Sequence, residues 1–244
     1  MLIFPQLGTG AIGQFPVQRR RVPRTVVNRA ADGHVVKLAD PAGAVTEWTL
    51  EYTGLSDSEL ATLQAFFVAA EGTLNPFTFV DPAANLLAWS GQFDNAVWTK
   101  GPQLTVSGQH IANAGEGAQS ITQTLSAPAE YLYCLSAYVK AASATTVTLL
   151  IGNQRGDRVV GTDWTAIAFA ASGDPVFGLE LPAGAAVDLS GMQVEPQAAP
   201  SMYQASTTGG VYENARLADD VLTVTTTDVA CHACRVRVVC AGQI

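Results

Sequence analysis

Most of this chain alternates apolar and polar residues with a period of two, which is typical of half-buried β-strands. The clearest example ends at Tyr52, where Trp48, Leu50 and Tyr52 lie between polar neighbours. Together with the apolar residues 35–38, this segment predicts two strands around a turn at residues 40–43. Hydrophobic residues make up 48% of the 244-residue sequence, which is enough to form a substantial core.

A helical period of apolar residues interrupts this pattern between residues 56 and 71. Ser56 and Glu59 have the spacing of a capping box, and Gly72 is a typical stop signal. The apolar stripe consists of Leu60, Leu63, Phe67 and Ala70. We expect one helix over about residues 56–71, with this stripe packed on the surrounding sheet.

The segment PFTFVDPAANLLAWSGQFDNAVW, residues 76–98, marks the boundary between two domains. Phe77, Phe79 and Val80 predict the end of a buried strand, and Asp81-Pro82 predicts a turn. The strand-like runs that follow cover residues 103–106, 120–125, 131–140, 145–151, 165–170, 176–181 and 186–196. The boundary predicts a first domain over residues 1–85. The regular spacing of the later runs predicts a two-sheet β-sandwich over residues 86–208.

Residues 209–244 predict a further β-hairpin, because arginine and valine alternate from Arg235 to Val239. Two interpretations are open. The hairpin returns to the first domain and completes its sheet, so that the sandwich is an insertion, or it forms an independent C-terminal arm.

Three segments also resemble a known class of protein. GLSDSELATLQAFFVAAEGTLNPFTFVDP, followed by NLLAWS and a short loop ending in Trp98, resembles the distal tail and baseplate-hub proteins of tailed bacteriophages. GMQVEPQAAPSMYQAST, residues 191–207, resembles the last strand and exit loop of the carbohydrate-binding-module-like jelly rolls attached to them. The resemblance implies a mainly β fold: a small β-rich ring-forming domain with one α-helix, plus a jelly-roll β-sandwich domain.

The same resemblance implies a structural component of the virion. The first domain would form a ring, usually a hexamer, that joins the tail tube to the host-recognition apparatus and contacts other baseplate proteins, while the jelly roll projects outward. The expected location is the phage tail tip, after synthesis in the host cytoplasm. We expect no membrane insertion, because no run of 18 or more apolar residues is present. The alternative function is carbohydrate binding or receptor recognition through the jelly roll.

The charge distribution bears on possible partners. A formal charge of −8 argues against a general nucleic-acid-binding protein, and we expect no sequence-specific nucleic acid. Arg19, Arg20, Arg21 and Arg24 are candidate interface residues that could make charge-assisted contacts with neighbouring subunits. Contact with DNA passing through a tail tip is the less favoured interpretation, since a conduit that gripped phosphates would slow the DNA.

Four residues near the C-terminus could in principle bind zinc: Cys231, His232, Cys234 and Cys240. They fall within ten residues of one another, whereas a tetrahedral zinc site normally takes its ligand pairs from separate segments. We therefore expect no metal and no other cofactor. Reduced thiols that fill small apolar spaces, or a disulfide formed after release, are the simpler interpretations.

No catalytic motif is present, and no two carboxylates are singled out as an acid and base pair, so we expect a non-enzyme. A glycan site would need an exposed aromatic ring beside polar groups. Trp164 lies in the polar segment NQRGDRVVGTDW, which we predict to be a loop. Trp164 and its neighbour Asp163 are therefore the candidate glycan contacts.

Overall fold

The computed structural model describes residues 2–241. These residues form a mainly β structure with three antiparallel sheets and, within the described range, a single α-helix. The chain divides into two compact units. Unit 1 contains residues 2–5, 13–79 and 212–241 of the described range, and unit 2 contains residues 6–12 and 80–211. Residues 6–12, which the sequence pattern placed in the first domain, thus belong to unit 2.

Unit 1 is built on one six-stranded sheet, here called sheet I, in the order β1-β2-β16-β14-β3 with β15 pairing with β16. Its strands are β1 (Gln18–Arg29), β2 (Val35–Leu55), β3 (Phe77–Val80), β14 (Val211–Leu217), β15 (Val224–Asp228) and β16 (Cys231–Ala241). The C-terminal hairpin is part of this sheet, since β16 lies between β2 and β14.

β2 is one continuous strand of 21 residues, not the two strands around a turn that the sequence pattern predicts. Its partner β1 pairs with it on both sides of an irregularity, where the register shifts between Val22 and Arg24. Pro23 lies at this shift and has no N–H to donate to the sheet. The extra residues of β2 opposite Pro23, residues 41–44, therefore form a bulge within the strand.

Helix α1 (Asp57–Ala70) begins with the predicted capping box. The Glu59 backbone N–H donates to Ser56 Oγ at 3.3 Å, and the Ser56 N–H donates to Glu59 Oε2 at 3.1 Å. The helix ends at Ala70, and its C-cap residue Glu71 has a left-handed backbone with a φ of 51°, so the stop comes one residue before Gly72. The buried face contains Phe66, whereas the predicted Phe67 is only half-buried.

Aromatic rings form the centre of unit 1. The Phe66 ring lies 5.1 Å from that of Phe4 and 4.9 Å from that of Phe77, measured between centroids. Trp48 contacts Phe79 at 5.1 Å on the same side of the sheet. These edge-on and tilted contacts attach α1 to sheet I and stabilise the unit through burial and ring packing.

Unit 2 is a β-sandwich of two five-stranded sheets with a jelly-roll fold. Sheet II has the order β10-β9-β12-β7-β4, and sheet III has the order β11-β8-β13-β6-β5. The strands are β4 (Thr99–Lys100), β5 (Leu104–Ser107), β6 (His110–Asn113), β7 (Gln119–Thr124), β8 (Leu132–Ala141), β9 (Thr145–Ile151), β10 (Gln154–Val160), β11 (Thr165–Ser172), β12 (Val176–Leu181) and β13 (Ala186–Glu195). The rings of Tyr133 on β8 and Phe177 on β12 meet between the sheets, with centroids 5.1 Å apart.

The polar segment before Trp164 forms a strand, so the predicted loop is wrong there. β10 pairs with β9 along its whole length after a two-residue turn, in which Gly152 has a φ of 56°. β10 is an edge strand, and Arg155, Asp157 and Val159 are exposed at alternate positions. The sequence pattern also did not predict the short strands β4 and β6.

Asn85 joins the beginning of unit 2 to its end. Its side-chain amide donates to the carbonyl oxygens of Met192 and Gln204, both at 3.0 Å. Its Oδ1 accepts the backbone N–H groups of Leu87 and Val194, both at 3.1 Å. All four hydrogen bonds of one buried amide are thus satisfied, and three chain segments are held together.

Candidate functional site

Trp164 is exposed and lies in the turn before β11, with 44% of its surface accessible. Because β11 pairs with β8 with Thr165 opposite Val139, Trp164 comes opposite Lys140. The Lys140 ammonium lies over the indole ring, with Nζ 5.0 Å from the ring centroid. This cation–π contact fixes the orientation of an otherwise exposed ring.

A carboxylate on the next strand holds Lys140 in this position. Asp188 on β13 lies opposite Lys140, and its Oδ2 is 3.2 Å from Lys140 Nζ. Its other oxygen, Oδ1, is 2.8 Å from Nδ1 of His110 on β6. The hydrogen bond from His110 and, next, that from Lys140 lower the pKa of Asp188, so the carboxylate is ionised at neutral pH.

Tyr138 adds a second ring to the same surface. It lies two residues before Lys140 on β8, so both side chains point to the same face of sheet III. Tyr138 is 46% exposed and lies opposite Ser190, whose hydroxyl accepts a hydrogen bond from Gln109 at 3.3 Å. We call the set Trp164, Lys140, Tyr138, Asp188, Ser190 and His110 the Trp164 platform.

The platform combines the groups that a sugar needs. An exposed aromatic face packs against the apolar face of a pyranose ring, and neighbouring hydroxyl, amide and charged groups hydrogen-bond to its hydroxyls. Trp164 and Tyr138 are diagonal neighbours on adjacent strands, a relation that places side chains about 7–8 Å apart. This separation suits contacts with one or two consecutive sugar rings.

Asp163, the other glycan candidate, is exposed next to Trp164. Its backbone carbonyl accepts a hydrogen bond from Thr165 Oγ1 at 3.2 Å, which shapes the turn. Tyr138, Lys140, Asp188 and His110 were not among the site residues predicted from the sequence. The sequence does contain one indication of this surface: Ser136, Tyr138 and Lys140 are alternate residues and therefore share one face of the strand. Both faces of that strand looked apolar, so this polar face was not recognised.

Three other aromatic rings of the sandwich are much less accessible than Trp164. Trp98, Tyr131 and Tyr133 are each no more than 3% exposed. The Tyr133 hydroxyl donates to the Pro128 carbonyl at 2.6 Å, and burial raises the pKa of both tyrosines. These two tyrosines and Trp98 therefore belong to the core.

All four candidate interface arginines lie on β1 and are exposed. Two of them bind carboxylates on β2: Arg20 Nε donates to Glu47 at 3.1 Å, and Arg24 lies 3.5 Å from Asp40. Beyond this point residues 24–29 pair with residues 35–40 in a two-stranded segment, which we call the β1–β2 ribbon. Nearly every residue of the ribbon is exposed, including the apolar side chains of Val27, Val35, Val36 and Leu38.

The zinc candidates are not assembled into a metal site. His232, Cys234 and Cys240 occupy the buried face of β16, whereas Cys231 lies on the opposite face at the start of the strand. The two ring nitrogens of His232 contact Asp57 at 2.7 Å and Thr226 at 3.1 Å. Across the described residues, no group of three or more His, Cys, Asp or Glu could hold a metal ion. The four cysteines are free thiols.

None of the helical structure in residues 2–241 is long and apolar enough to cross a membrane.

No protein-family model and no curated protein matches the chain. Solved structures with partial likeness include the enzymatically active domain of bacteriophage CBA120 tailspike protein 4, at 18% identity and a TM-score of 0.36. The likeness covers 47% of this chain and 22% of that one. The second N-terminal cellulose-binding domain of Cellulomonas fimi β-1,4-glucanase C matches at 12% identity and a TM-score of 0.35, over 49% of this chain and 98% of that domain. A family 61 carbohydrate-binding module solved with β-1,4-galactotriose matches at 10% identity and a TM-score of 0.35, over 45% of this chain and 97% of that one. At these values none of the three indicates what this chain binds.

Proposed function

We propose that this protein recognises carbohydrate through the Trp164 platform of unit 2. The observation that carries the proposal is the exposed indole of Trp164, fixed by Lys140 and, through it, by Asp188. Lys140 covers one face of the ring, and the sugar stacks on the face that Lys140 leaves open. Because the ring is already oriented, binding costs less conformational entropy than it would with a freely rotating side chain.

The platform supplies polar groups on β13, where Ser190 lies opposite Tyr138, and on β6, where His110 lies opposite Asp188. The Ser190 hydroxyl and the partly exposed His110 ring are positioned to hydrogen-bond to sugar hydroxyls. Tyr138 extends the aromatic surface by one strand. Both rings of the platform are nearly half exposed, which favours recognition of a chain end or a short stretch of polysaccharide over enclosure of a small molecule.

A glycan array with the full chain tests this function. We expect a specific signal that disappears in Trp164→Ala and persists in Met202→Ala, a matched removal of a large exposed apolar side chain in the same unit. Loss of the signal in both variants, or no signal with the wild-type protein on any glycan, would contradict the proposal.

A second function is favoured by the β1–β2 ribbon: we propose assembly as a structural component of a phage tail tip. An isolated pair of strands is only marginally stable in water, and this pair exposes four apolar side chains. The ribbon and its base, residues 18–40, contain six basic and two acidic residues, against seven basic and nineteen acidic in the rest of the chain. A basic, apolar ribbon is therefore complementary to the acidic surface of another copy.

In this proposal the copies form a ring, a hexamer as the sequence resemblance implies, that joins the tail tube to the host-recognition apparatus and contacts other baseplate proteins in the virion. Arg19, Arg20, Arg21 and Arg24 lie at the subunit contacts. Neither proposed function involves catalysis.

The oligomeric state of the full chain tests the assembly. In low salt, analytical ultracentrifugation should show a closed oligomer that dissociates in Leu38→Asp and persists in Val229→Asp, which places the same charge on an exposed turn of unit 1. A strict monomer at every concentration, which also fails to bind tail tube protein, would overturn this second function.

A further inference from the structure

We infer that the Trp164 platform accepts neutral or amine-bearing sugars and discriminates against sugars that carry carboxylate, sulfate or phosphate groups. This inference rests on the proposed carbohydrate recognition and names the ligand class of the same site. It follows from how the charges around Trp164 are paired.

The cation nearest to the ring is already neutralised. Lys140 is within 3.2 Å of Asp188, and its ammonium lies against the indole face. An acidic sugar would have to displace Asp188 from Lys140 in order to use that charge. Asp188 is in turn fixed by His110 at 2.8 Å, through a hydrogen bond from Nδ1 that a neutral imidazole can donate.

The residue that precedes Trp164 in the sequence carries a negative charge. Asp163 immediately precedes Trp164 and is exposed, and no described residue donates a hydrogen bond or forms an ion pair with its carboxylate. An anionic group on a sugar stacked at Trp164 would therefore meet an unpaired like charge. An ammonium group on the sugar would instead gain an opposite one.

Within residues 2–241, Arg158 is the next cation to consider at this sheet edge, and it does not compensate for Asp163. The guanidinium of Arg158 is bound to the carbonyl oxygens of Ala168 and Asp157. Ala168 lies four residues beyond Trp164, which is about 13 Å along an extended strand. That distance exceeds the screening length of about 8 Å at physiological salt.

The overall charge of unit 2 has the same sign. Its residues include four basic and ten acidic side chains. Polyanions therefore approach against the long-range field as well as against the local charge, and both effects weaken as salt is added.

The test measures the binding of three sugar classes to the full chain in 20 mM and 200 mM NaCl. The probes are galactose oligomers and N-acetylglucosamine oligomers (neutral), glucosamine oligomers (amine-bearing) and galacturonate oligomers (acidic). For a unit charge near Asp163 in a solvent-exposed site, we expect the acidic oligomer to bind about five- to tenfold more weakly than the neutral oligomer of the same sugar series in low salt. In 200 mM NaCl the affinities for the acidic and neutral oligomers should become more similar.

Two variants test which charged residue weakens the binding of acidic sugars. Asp163→Asn should bring acidic and neutral oligomers to within about twofold of each other, since the unpaired charge is removed. Asp188→Asn frees Lys140 and should favour the acidic oligomer. An unchanged ratio in Asp163→Asn overturns the assignment to Asp163.

Different results would contradict carbohydrate recognition and the selection against acidic sugars. If the tightest ligands of the wild-type chain are acidic and their binding is lost in Trp164→Ala, carbohydrate recognition stands and the selection against anions is wrong. If no class of sugar depends on Trp164, the recognition function itself fails.

Discussion

The ammonium of Lys140 lies 5.0 Å from the centre of the Trp164 ring, and Asp188 on the next strand keeps it there. Lys140 and Asp188 lie on the neighbouring strands β8 and β13 of sheet III, and Trp164 lies in the turn that leads into β11. Their contacts produce an exposed aromatic surface in which one orientation of the indole is favoured, by about 0.5–1 kcal/mol for an exposed cation–π contact. Exposed tryptophans are common on proteins, but an exposed tryptophan with a fixed orientation is suited to binding.

The Asp188 carboxylate should make the stability of unit 2 depend on pH in the acid range. Its pKa is lowered in the folded chain by His110 and Lys140, so its contribution to stability is complete above the unfolded value of about 3.9 and is lost as the pH falls below it. Urea denaturation at pH 6 and pH 3 should show a smaller loss of stability in Asp188→Asn than in the wild-type chain. An equal loss in both proteins would mean that these contacts do not form in solution.

Removal of Asn85 should destabilise unit 2 strongly. Asn85→Ala leaves two carbonyl oxygens and two N–H groups without their partner in a buried position, at a cost of about 2–4 kcal/mol. Asn153→Ala, in the exposed turn before β10, is the matched control and should change the free energy of unfolding by less than about 0.5 kcal/mol. Similar effects of the two substitutions in chemical denaturation would be inconsistent with the role assigned to Asn85.

Two adjacent phenylalanines distinguish the buried face of α1. Phe66→Ala removes a ring from the aromatic core of unit 1 and should cost about 3–5 kcal/mol. Phe67→Ala removes a half-buried ring and should cost clearly less. The midpoints of thermal or urea denaturation give both values, and the reverse order would show that the helix is rotated from the orientation described.

The cysteines should differ in their reactivity towards a thiol reagent under native conditions. Cys231 is partly accessible and should react first. Burial raises the pKa of Cys134 to about 11 and also raises the pKa of Cys234 and Cys240, so these thiols should react only after unfolding. Cys231→Ser should remove the fast phase; a fast phase that remains would place another thiol at the surface.

Local sequence signals predicted several elements well. The capping box of Ser56 and Glu59 is confirmed, and β9 and β12 have the predicted limits. The choice between Phe66 and Phe67 could not be made from periodicity, because adjacent positions are only 100° apart on a helix and both are aromatic. β10 was missed because an edge strand can expose charged residues such as Arg155 and Asp157.

The candidate site depends on pairings that the sequence does not contain locally. Asp188 meets Lys140 and His110 only through the order of strands in sheet III. Likewise, Gln6 belongs to unit 2 because its amide contacts the backbone of Leu132, 126 residues away. A single sequence identifies an exposed tryptophan, but strand order decides what surrounds it.

The most direct test follows the fluorescence of the protein as the tightest glycan ligand is added. Trp164 is exposed, whereas Trp48 and Trp98 are buried and Trp89 is half-buried. A sugar that stacks on Trp164 should therefore change the fluorescence emission of the wild-type chain. Most of this change should be absent in Trp164→Phe, which keeps an aromatic ring at the site but removes the fluorophore. An equal change in both proteins would place the ligand elsewhere and contradict carbohydrate recognition by the Trp164 platform.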